Sequence, residues 1–209
     1  MKNKTVKTIL SLTVATFLMA TPSYADVLFQ DFDVPVTSHQ KDAVRAEYNK
    51  LPGNVTARFE SLGNYITFFD GYEPEYSQLL GIYAGAEGQG CLILTNTNDD
   101  GAGTLIHEMA HFLDDYVFED IGSEKAELNY NGHFFKYARG GIRSRSELED
   151  FKAIYHEERA GNYLVSNYEA QDQCEYFAGS FAAYVNHPAE LAIVAPKTFG
   201  FINNMVINL

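Results

Sequence analysis

Short runs of aromatic and β-branched residues in the first half of the chain predict three strands. Every residue of Tyr65–Phe69 is of this kind, and Asp70-Gly71 directly after it is typical of a turn. Leu79–Tyr83 and Cys91–Thr95 predict two more strands around the glycine-rich stretch Gly85–Gly90. That stretch lacks the lysine of a phosphate-binding loop and does not lead into a helix, so we interpret it as a hairpin turn.

Apolar residues at helical spacing predict helices before and after these strands. Ser38 is expected to cap a helix that runs to about Leu51, and Asn54 a second one over Val55–Leu62. Ser146 and Glu149 have the spacing of a capping box for a helix of about 147–162. The apolar segment 168–185 is predicted to form another helix. Residues 119–139 are largely polar, predict irregular structure, and end at Gly140-Gly141.

Residues 101–115, read as GAGTLIHEMAHFLDD, predict an amphipathic helix in the middle of the chain. Two glycines open it, and its apolar face is formed by Leu105, Ile106, Met109, Phe112 and Leu113. The order of elements predicts an α+β fold, with a small mixed sheet and a mostly helical C-terminal half. We place the sheet edge beside this helix at the strand Cys91–Thr95, where it could pair with an extended peptide.

The same helix carries His107, Glu108 and His111 in the H-E-x-x-H arrangement. Residues four apart lie on one helix face, so the two imidazoles can bind one Zn²⁺ ion, leaving a position for water. Glu108 can then remove a proton from that water as it attacks a carbonyl. Asp115, one turn after His111, could orient an imidazole. The alternative is a core helix with two hydrogen-bonded histidines.

A catalytic zinc site needs a third protein ligand, and seven downstream residues are candidates: His133, His156, Glu157, Glu158, Glu169, Glu175 and His187. We favour Glu175, because Ala178, Gly179 and Ala182 on its side of the helix would let two helices approach closely. A carboxylate in such an apolar helix needs a partner. The other interpretation is that Glu175 pairs with a lysine or arginine.

Tyr168 lies seven residues before Glu175, which is two turns of the predicted helix and therefore nearly the same face. Its hydroxyl could donate to the oxyanion that develops when a peptide carbonyl is attacked. With 14 tyrosines in the chain, a packing role is an open alternative.

Residues 1–25 have the pattern of a signal peptide, with Lys2, Lys4 and Lys7, the apolar stretch Ile9–Ala20 and the cleavage motif Ser23-Tyr24-Ala25. We expect a secreted or periplasmic protein, with 26–209 as one domain. Removing three lysines would take the net charge from −13 to −16, which disfavours nucleic acid and anionic membranes as partners. The two cysteines, Cys91 and Cys174, could form a disulfide, but the sequence does not establish one.

From about Phe59 to the C-terminus the chain resembles the catalytic domain of anthrax lethal factor and the secreted Pro-Pro endopeptidases of clostridia. The resemblance rests on 103–111, on Tyr168 with Glu175–Ala178, and on the tail Ala195–Asn203, which is similar to that of lethal factor. It implies a zincin-like gluzincin metallopeptidase, with one Zn²⁺ bound by His107, His111 and Glu175. It further implies Glu108 as general base and Tyr168 as oxyanion donor.

Together these observations predict a secreted zinc metalloendopeptidase, expected to be a monomer, that hydrolyses protein substrates with zinc-activated water. One alternative is a toxin-type binding module of the same fold that recognises a protein partner without cleaving it. Another is a structural zinc site, which would require a fourth protein ligand such as Cys174. No feature of the sequence fixes a proline preference.

Overall fold

The computed structural model describes residues 28–30, 34–86, 89–98, 100–115, 124–130, 133–139 and 144–209. The signal peptide expected at residues 1–25 lies outside these ranges. Among the described residues, no helix is both long and apolar enough to cross a bilayer.

Within the part of the chain that the structure describes, two helices precede the sheet, close to where the sequence predicts them. Helix α1 spans Ser38–Tyr48 and helix α2 spans Gly53–Ser61. The cap of α1 is Thr37 rather than Ser38, because Thr37 and Gln40 form a reciprocal capping box. Asn54 does not cap α2; it lies inside the helix and donates to the backbone carbonyl of Val206.

Three strands form the mixed sheet that the sequence predicts: β1 (Tyr65–Phe69), β2 (Gly81–Ala86) and β3 (Gln89–Thr95). The order is β1-β3-β2, with β3 parallel to β1 and antiparallel to β2, so the glycine-rich stretch does join a hairpin. The expected sheet edge at Cys91–Thr95 is therefore wrong, since β3 is central and β2 is the edge. The unbroken apolar run of β3, buried on both faces, is typical of a central strand.

The prediction of irregular structure over residues 119–139 is also wrong for the two described segments of this range. Strands β4 (Glu124–Tyr130) and β5 (His133–Arg139) pair as an antiparallel hairpin, and β5 lies close to β2. Its signal in the sequence is Asn131-Gly132, the dipeptide that most favours a two-residue hairpin loop. Residues 116–123, 131–132 and 140–143, including Gly140-Gly141, lie outside the described residues.

Helix α3, Asp100–Asp114, packs its apolar face against the sheet, where Leu105, Met109 and Phe112 are fully buried. A short 3₁₀ turn, Arg145–Glu147, then leads into helix α4, Glu149–Glu158. The predicted capping box at Ser146 does not form, and the cap position of α4 is Leu148.

Three helices complete the chain: α5 (Gln173–Asn186), α6 (Pro188–Val194) and α7 (Pro196–Ile207). Helix α5 packs against α3, and it begins five residues later than predicted. Asp172, in extended conformation, caps it by accepting hydrogen bonds from the backbone N–H groups of Cys174 and Glu175, both at 2.9 Å. Tyr168 therefore lies before α5, beside the 3₁₀ turn Glu169–Gln171.

Candidate metal centre and cleft

His107 and His111 extend from the face of α3 that is turned away from the sheet. Their ring centroids are 4.9 Å apart, and their Nε2 atoms approach to 3.2 Å. The four-residue spacing predicted this convergence, because it places the two side chains on successive turns of one helix face.

Glu175 reaches the two imidazoles from the first turn of α5. One carboxylate oxygen lies 3.1 Å from His107 Nε2, and the other lies 3.8 Å from His111 Nε2. Asp172 fixes where α5 begins and therefore where Glu175 points. Among the described residues the partners of Glu175 are these histidines and Tyr168, and not a lysine or arginine as in the alternative interpretation.

The geometry of these three residues fits a tetrahedral metal ion. With zinc–nitrogen bonds of 2.0–2.1 Å, two ligand atoms of a tetrahedral site are about 3.3 Å apart. The Nε2 atoms of the two histidines are 3.2 Å apart, close to this value, and the two oxygens of Glu175 lie 3.1 Å from His107 Nε2 and 3.8 Å from His111 Nε2 respectively. Within the described part of the chain, His107, His111 and Glu175 are the group of histidine, cysteine and acidic residues that could hold a metal ion.

The remaining described candidates for a third ligand have other contacts or positions. Glu157 pairs with Lys197, and Glu158 accepts hydrogen bonds from the backbone N–H groups of Lys197 and Thr198 at the start of α7. His156 contacts the ring of Tyr155, and His187 lies in the junction between α5 and α6. Glu169 lies beside His107, but at Nδ1, the ring nitrogen that faces away from Glu175. The side chain of His133 is outside the description.

Both imidazoles are supported at the nitrogen that faces away from Glu175. His107 Nδ1 lies 3.3 Å from Glu169 Oε1, and His111 Nδ1 lies 3.6 Å from the sulfur of Cys174. A proton on each Nδ1 can donate to these partners, which leaves both Nε2 lone pairs directed at the metal position. Cys174 is thus behind the His111 ring, so it is not a fourth ligand.

Cys174 is itself held by a buried carboxylate. Its thiol is hydrogen-bonded to Asp114, which also accepts from the backbone N–H and the hydroxyl of Ser146 at 2.6 and 2.7 Å. Burial raises the pKa of Asp114 to about 6 and keeps Cys174 a thiol by raising its pKa as well. This network takes Ser146 away from the capping role that its sequence spacing suggests.

Neither cysteine forms a disulfide: both are free thiols. Cys91 is buried in β3 and hydrogen-bonded to Tyr65. Asp115, expected near an imidazole, accepts a hydrogen bond from the Tyr83 hydroxyl at 3.3 Å. The carboxylate that lies beside Nδ1 of His107, at 3.3 Å, belongs to Glu169.

Opposite effects act on the two histidines. Burial lowers the pKa of His107, but hydrogen bonds to Glu169 and Glu175 outweigh it and raise the value to about 9. Burial, followed by the charge of His107, lowers the pKa of His111 to about 4. The two rings therefore differ in how strongly the surroundings favour their charged forms.

Glu108 is 6% exposed and lies against the edge strand β2. Its carboxylate accepts from the backbone N–H of Tyr83 and lies 3.5 Å from the Thr104 hydroxyl. A Cβ at Gly81 would come within 2.7 Å of Glu108 Cγ, so glycine there lets the strand pass close to this side chain. Burial raises the pKa of Glu108 to about 7, which suits a group that exchanges protons near neutral pH.

An open cleft of about 870 Å³ contains all of these groups. Residues Gly81–Tyr83 of β2 form part of one wall, and the exposed Leu79 and Leu80 precede them. Tyr168, which is 60% exposed, also lines the cleft and is hydrogen-bonded to Glu175. Tyr168 therefore lies in the cleft beside Glu175, as the sequence predicts, but it reaches Glu175 from a separate turn and not from the same helix face.

Sequence reasoning missed the roles of Glu169, Cys174 and Asp114. Glu169 was considered only as a direct metal ligand, and Cys174 as a disulfide partner or a ligand. A signal for Glu169 exists, because Ser166 and Glu169 repeat the capping-box spacing of Ser146 and Glu149. No local pattern marks Asp114 or Cys174, which meet through the packing of α3 against α5.

Comparison with solved structures defines the class of fold. The structure titled "Structure of the PRO-PRO endopeptidase (PPEP-2) from Paenibacillus alvei" matches with a TM-score of 0.56 at 18% sequence identity. The match covers 87% of this chain and 98% of that one. The predicted α+β fold, with a small mixed sheet and mostly helical content, is thereby confirmed.

Residues 92–205, more than half of the chain, match the family described as anthrax toxin lethal factor, N- and C-terminal domain. The protein belongs to this family, and the resemblance inferred from its sequence is confirmed. No curated protein sequence matches the chain.

Proposed function

We propose that this protein is an exported zinc-dependent endopeptidase that hydrolyses peptide bonds of protein substrates. The observation that carries the proposal is the convergence of His107, His111 and Glu175 in an open cleft that also contains Glu108 and Tyr168. Family membership supports it, as does the fold shared with a protein titled a PRO-PRO endopeptidase.

His107, His111 and Glu175 would hold one Zn²⁺ ion. When bound, the ion supplies a Lewis acid for the scissile carbonyl and lowers the pKa of a nearby water molecule. Glu108 removes the proton from the attacking water and passes it to the leaving amine. The Tyr168 hydroxyl donates to the oxyanion of the attacked carbonyl.

The substrate would be an extended peptide in the cleft, beside Gly81–Tyr83 of β2. An edge strand offers backbone hydrogen bonds to such a peptide, and in the three-stranded sheet that edge is β2. This revises the position inferred from the sequence, which placed the peptide at β3.

Export is proposed from residues 1–25, whose lysines, apolar stretch and Ser23-Tyr24-Ala25 have the pattern of a cleaved signal. The mature protein would then begin at Asp26 and act as a monomeric single domain outside the cytoplasm. Mass spectrometry of protein recovered from the medium and the periplasm tests this, and an intact Met1 end in cell-associated protein would contradict it.

A peptide-library digest with the purified protein and its Glu108→Gln variant, both supplied with Zn²⁺, tests the activity. We expect the variant to bind one equivalent of zinc and to lose cleavage by a factor of about 10²–10⁴, because an amide cannot accept the water proton. Unchanged cleavage by the variant would refute the role of Glu108. Zinc binding with no cleavage by either protein would favour the binding-module alternative.

A further inference from the structure

Two hydrogen bonds join Ser166 and Glu169 in a closed ring just before α5. The backbone N–H of Glu169 donates to Ser166 Oγ at 3.2 Å, and the backbone N–H of Ser166 donates to Glu169 Oε2 at 2.6 Å. This is the reciprocal pattern of a capping box. We call this pair of residues the Ser166–Glu169 clamp. The clamp uses one carboxylate oxygen of Glu169, Oε2, and leaves the other oxygen available to accept a hydrogen bond.

That second oxygen, Oε1, lies 3.3 Å from His107 Nδ1. Both side chains are largely shielded from water, with exposures of 20% for Glu169 and 16% for His107. A carboxylate only accepts hydrogen bonds, so this contact favours the imidazole form whose proton is on Nδ1. His107 Nε2 is then free to donate its lone pair on the side of His111 and Glu175.

Gly179 of α5 makes room for the Glu169 carboxylate. A Cβ at this position would lie 2.5 Å from Glu169 Cδ, 2.7 Å from Oε1 and 2.9 Å from Oε2. These atoms are the far end of a flexible side chain rather than backbone. An added methyl group would therefore push the carboxylate aside without displacing α5.

Tyr168 lies inside the clamp, between its two members in sequence. The hydrogen bonds that fix Ser166 and Glu169 also fix the backbone from which Tyr168 enters the cleft. One small turn thus connects a candidate metal ligand with the candidate oxyanion donor.

We propose that the Ser166–Glu169 clamp is a positioning device, in which Glu169 orients His107 for metal binding in space provided by Gly179. The proposal rests on the metal site of the proposed function and adds to it a residue that touches neither metal nor substrate. Partners of this kind fix the ring orientation of a ligand histidine, and their loss typically weakens metal binding 10–100-fold.

The test measures the Zn²⁺ dissociation constant by competition with a chromogenic chelator. Glu169→Ala is expected to weaken binding 10–100-fold, whereas Glu169→Gln, whose amide oxygen can still accept from His107, should recover part of that loss. The visible spectrum of the Co²⁺-substituted protein should change in Glu169→Ala, because the His107 ring is no longer held. The matched control is Glu157→Ala, which removes an exposed carboxylate that pairs with Lys197 and should leave the affinity unchanged.

A double-mutant cycle separates positioning from general damage. Gly179→Ala should weaken Zn²⁺ binding in the wild-type background, but it should cost nothing further in Glu169→Ala, where the displaced carboxylate is absent. Additive losses would overturn the proposal, and so would a Glu169→Ala protein that binds Zn²⁺ within twofold of the wild type.

Thermal unfolding in the presence of chelator completes the test. We expect each variant to unfold within about 4 °C of the wild type, since the clamp is at the rim of the cleft. A larger fall would assign Glu169 a structural role and overturn the inference. Failure of the wild-type protein to bind Zn²⁺ would refute the proposed function and the clamp together, whereas normal binding by every variant would refute the clamp alone.

Discussion

The two imidazoles of the candidate metal centre come from one helix, but their supports differ. His107 is held directly by the carboxylate of Glu169, in a turn at the rim of the cleft. His111 is held by the thiol of Cys174, and the carboxylate of Asp114 lies one step further back, only 2% exposed. The first support is short and partly open to solvent, and the second is a buried chain of hydrogen bonds.

This difference predicts that one support mainly affects metal affinity and the other mainly affects folding stability. Glu169, which supports His107, makes its hydrogen bonds to His107 and to the adjacent turn at Ser166. Its substitution should therefore change metal affinity more than the free energy of unfolding. The support of His111 also joins α3 to Ser146, so damage to it should change folding more than metal affinity. Four substitutions test this difference between the two supports.

Glu175→Ala removes a carboxylate that contacts both histidines. We expect the Zn²⁺ dissociation constant to rise by about a hundredfold or more, exceeding the effect of losing a partner behind the ring. Chelator competition measures it, with Glu190→Ala as control because that partly buried carboxylate accepts a hydrogen bond from the Tyr163 hydroxyl and does not line the cleft. Affinity within tenfold of the wild type would show that Glu175 is not a ligand.

Asp114→Ala breaks the buried support of His111. The N–H and hydroxyl of Ser146 would lose their charged acceptor, so the free energy of unfolding should fall by about 3 to 4 kcal/mol. Urea denaturation in the presence of chelator measures this fall. A loss below about 1 kcal/mol would mean that Asp114 does not brace this part of the fold.

Asp114→Asn tests the charge of the same residue. Because the pKa of Asp114 in the folded protein, about 6, exceeds its ordinary value of 3.8, its contribution to stability is complete below pH 4 and is lost as the pH rises through 6. Relative to Asp114→Asn, the wild type should therefore lose up to about 3 kcal/mol between pH 4 and pH 7. Denaturation at several pH values measures the difference, and a constant difference would contradict the buried ionisation.

Cys174→Ala removes the thiol between His111 and Asp114. Sulfur is a weak acceptor and lies 3.6 Å from Nδ1, so we expect Zn²⁺ affinity to fall only about two- to fivefold, less than in Glu169→Ala. Cys174→Ser, which keeps a polar group there, should lose less. Equal losses in Cys174→Ala and Glu169→Ala would show that the two supports are equivalent.

The parts of the site that depend on local geometry were predictable from the sequence. His107, Glu108 and His111 follow from helical spacing alone, and the strand Tyr65–Phe69 has the predicted bounds. Glu175 was favoured because small residues on its side of the helix allow close approach of α3, and because a carboxylate in an apolar helix requires a partner.

The missed parts depend on contacts between distant segments. Ser146 and Ser166 share the same capping-box spacing. Ser146 instead donates two hydrogen bonds to the buried carboxylate of Asp114, so of these two serines only Ser166 forms the box. No spacing reveals that Gly179 leaves room for Glu169, since that depends on how the turn folds over α5. The central position of β3 did have a signal in its unbroken apolar run, but that run does not show which strands lie on either side of it.

The candidate ligands belong to helices α3 and α5, which are far apart in the sequence. A metal ion held between them would act as a cross-link, stabilising the folded chain by about 4 kcal/mol when its free concentration is a thousand times the dissociation constant. A peptidase built this way would resist digestion best when it is active, because unfolded chains are what peptidases cut most readily. Loss of the metal would then remove the activity and, at the same time, make the chain susceptible to cleavage by other peptidase molecules.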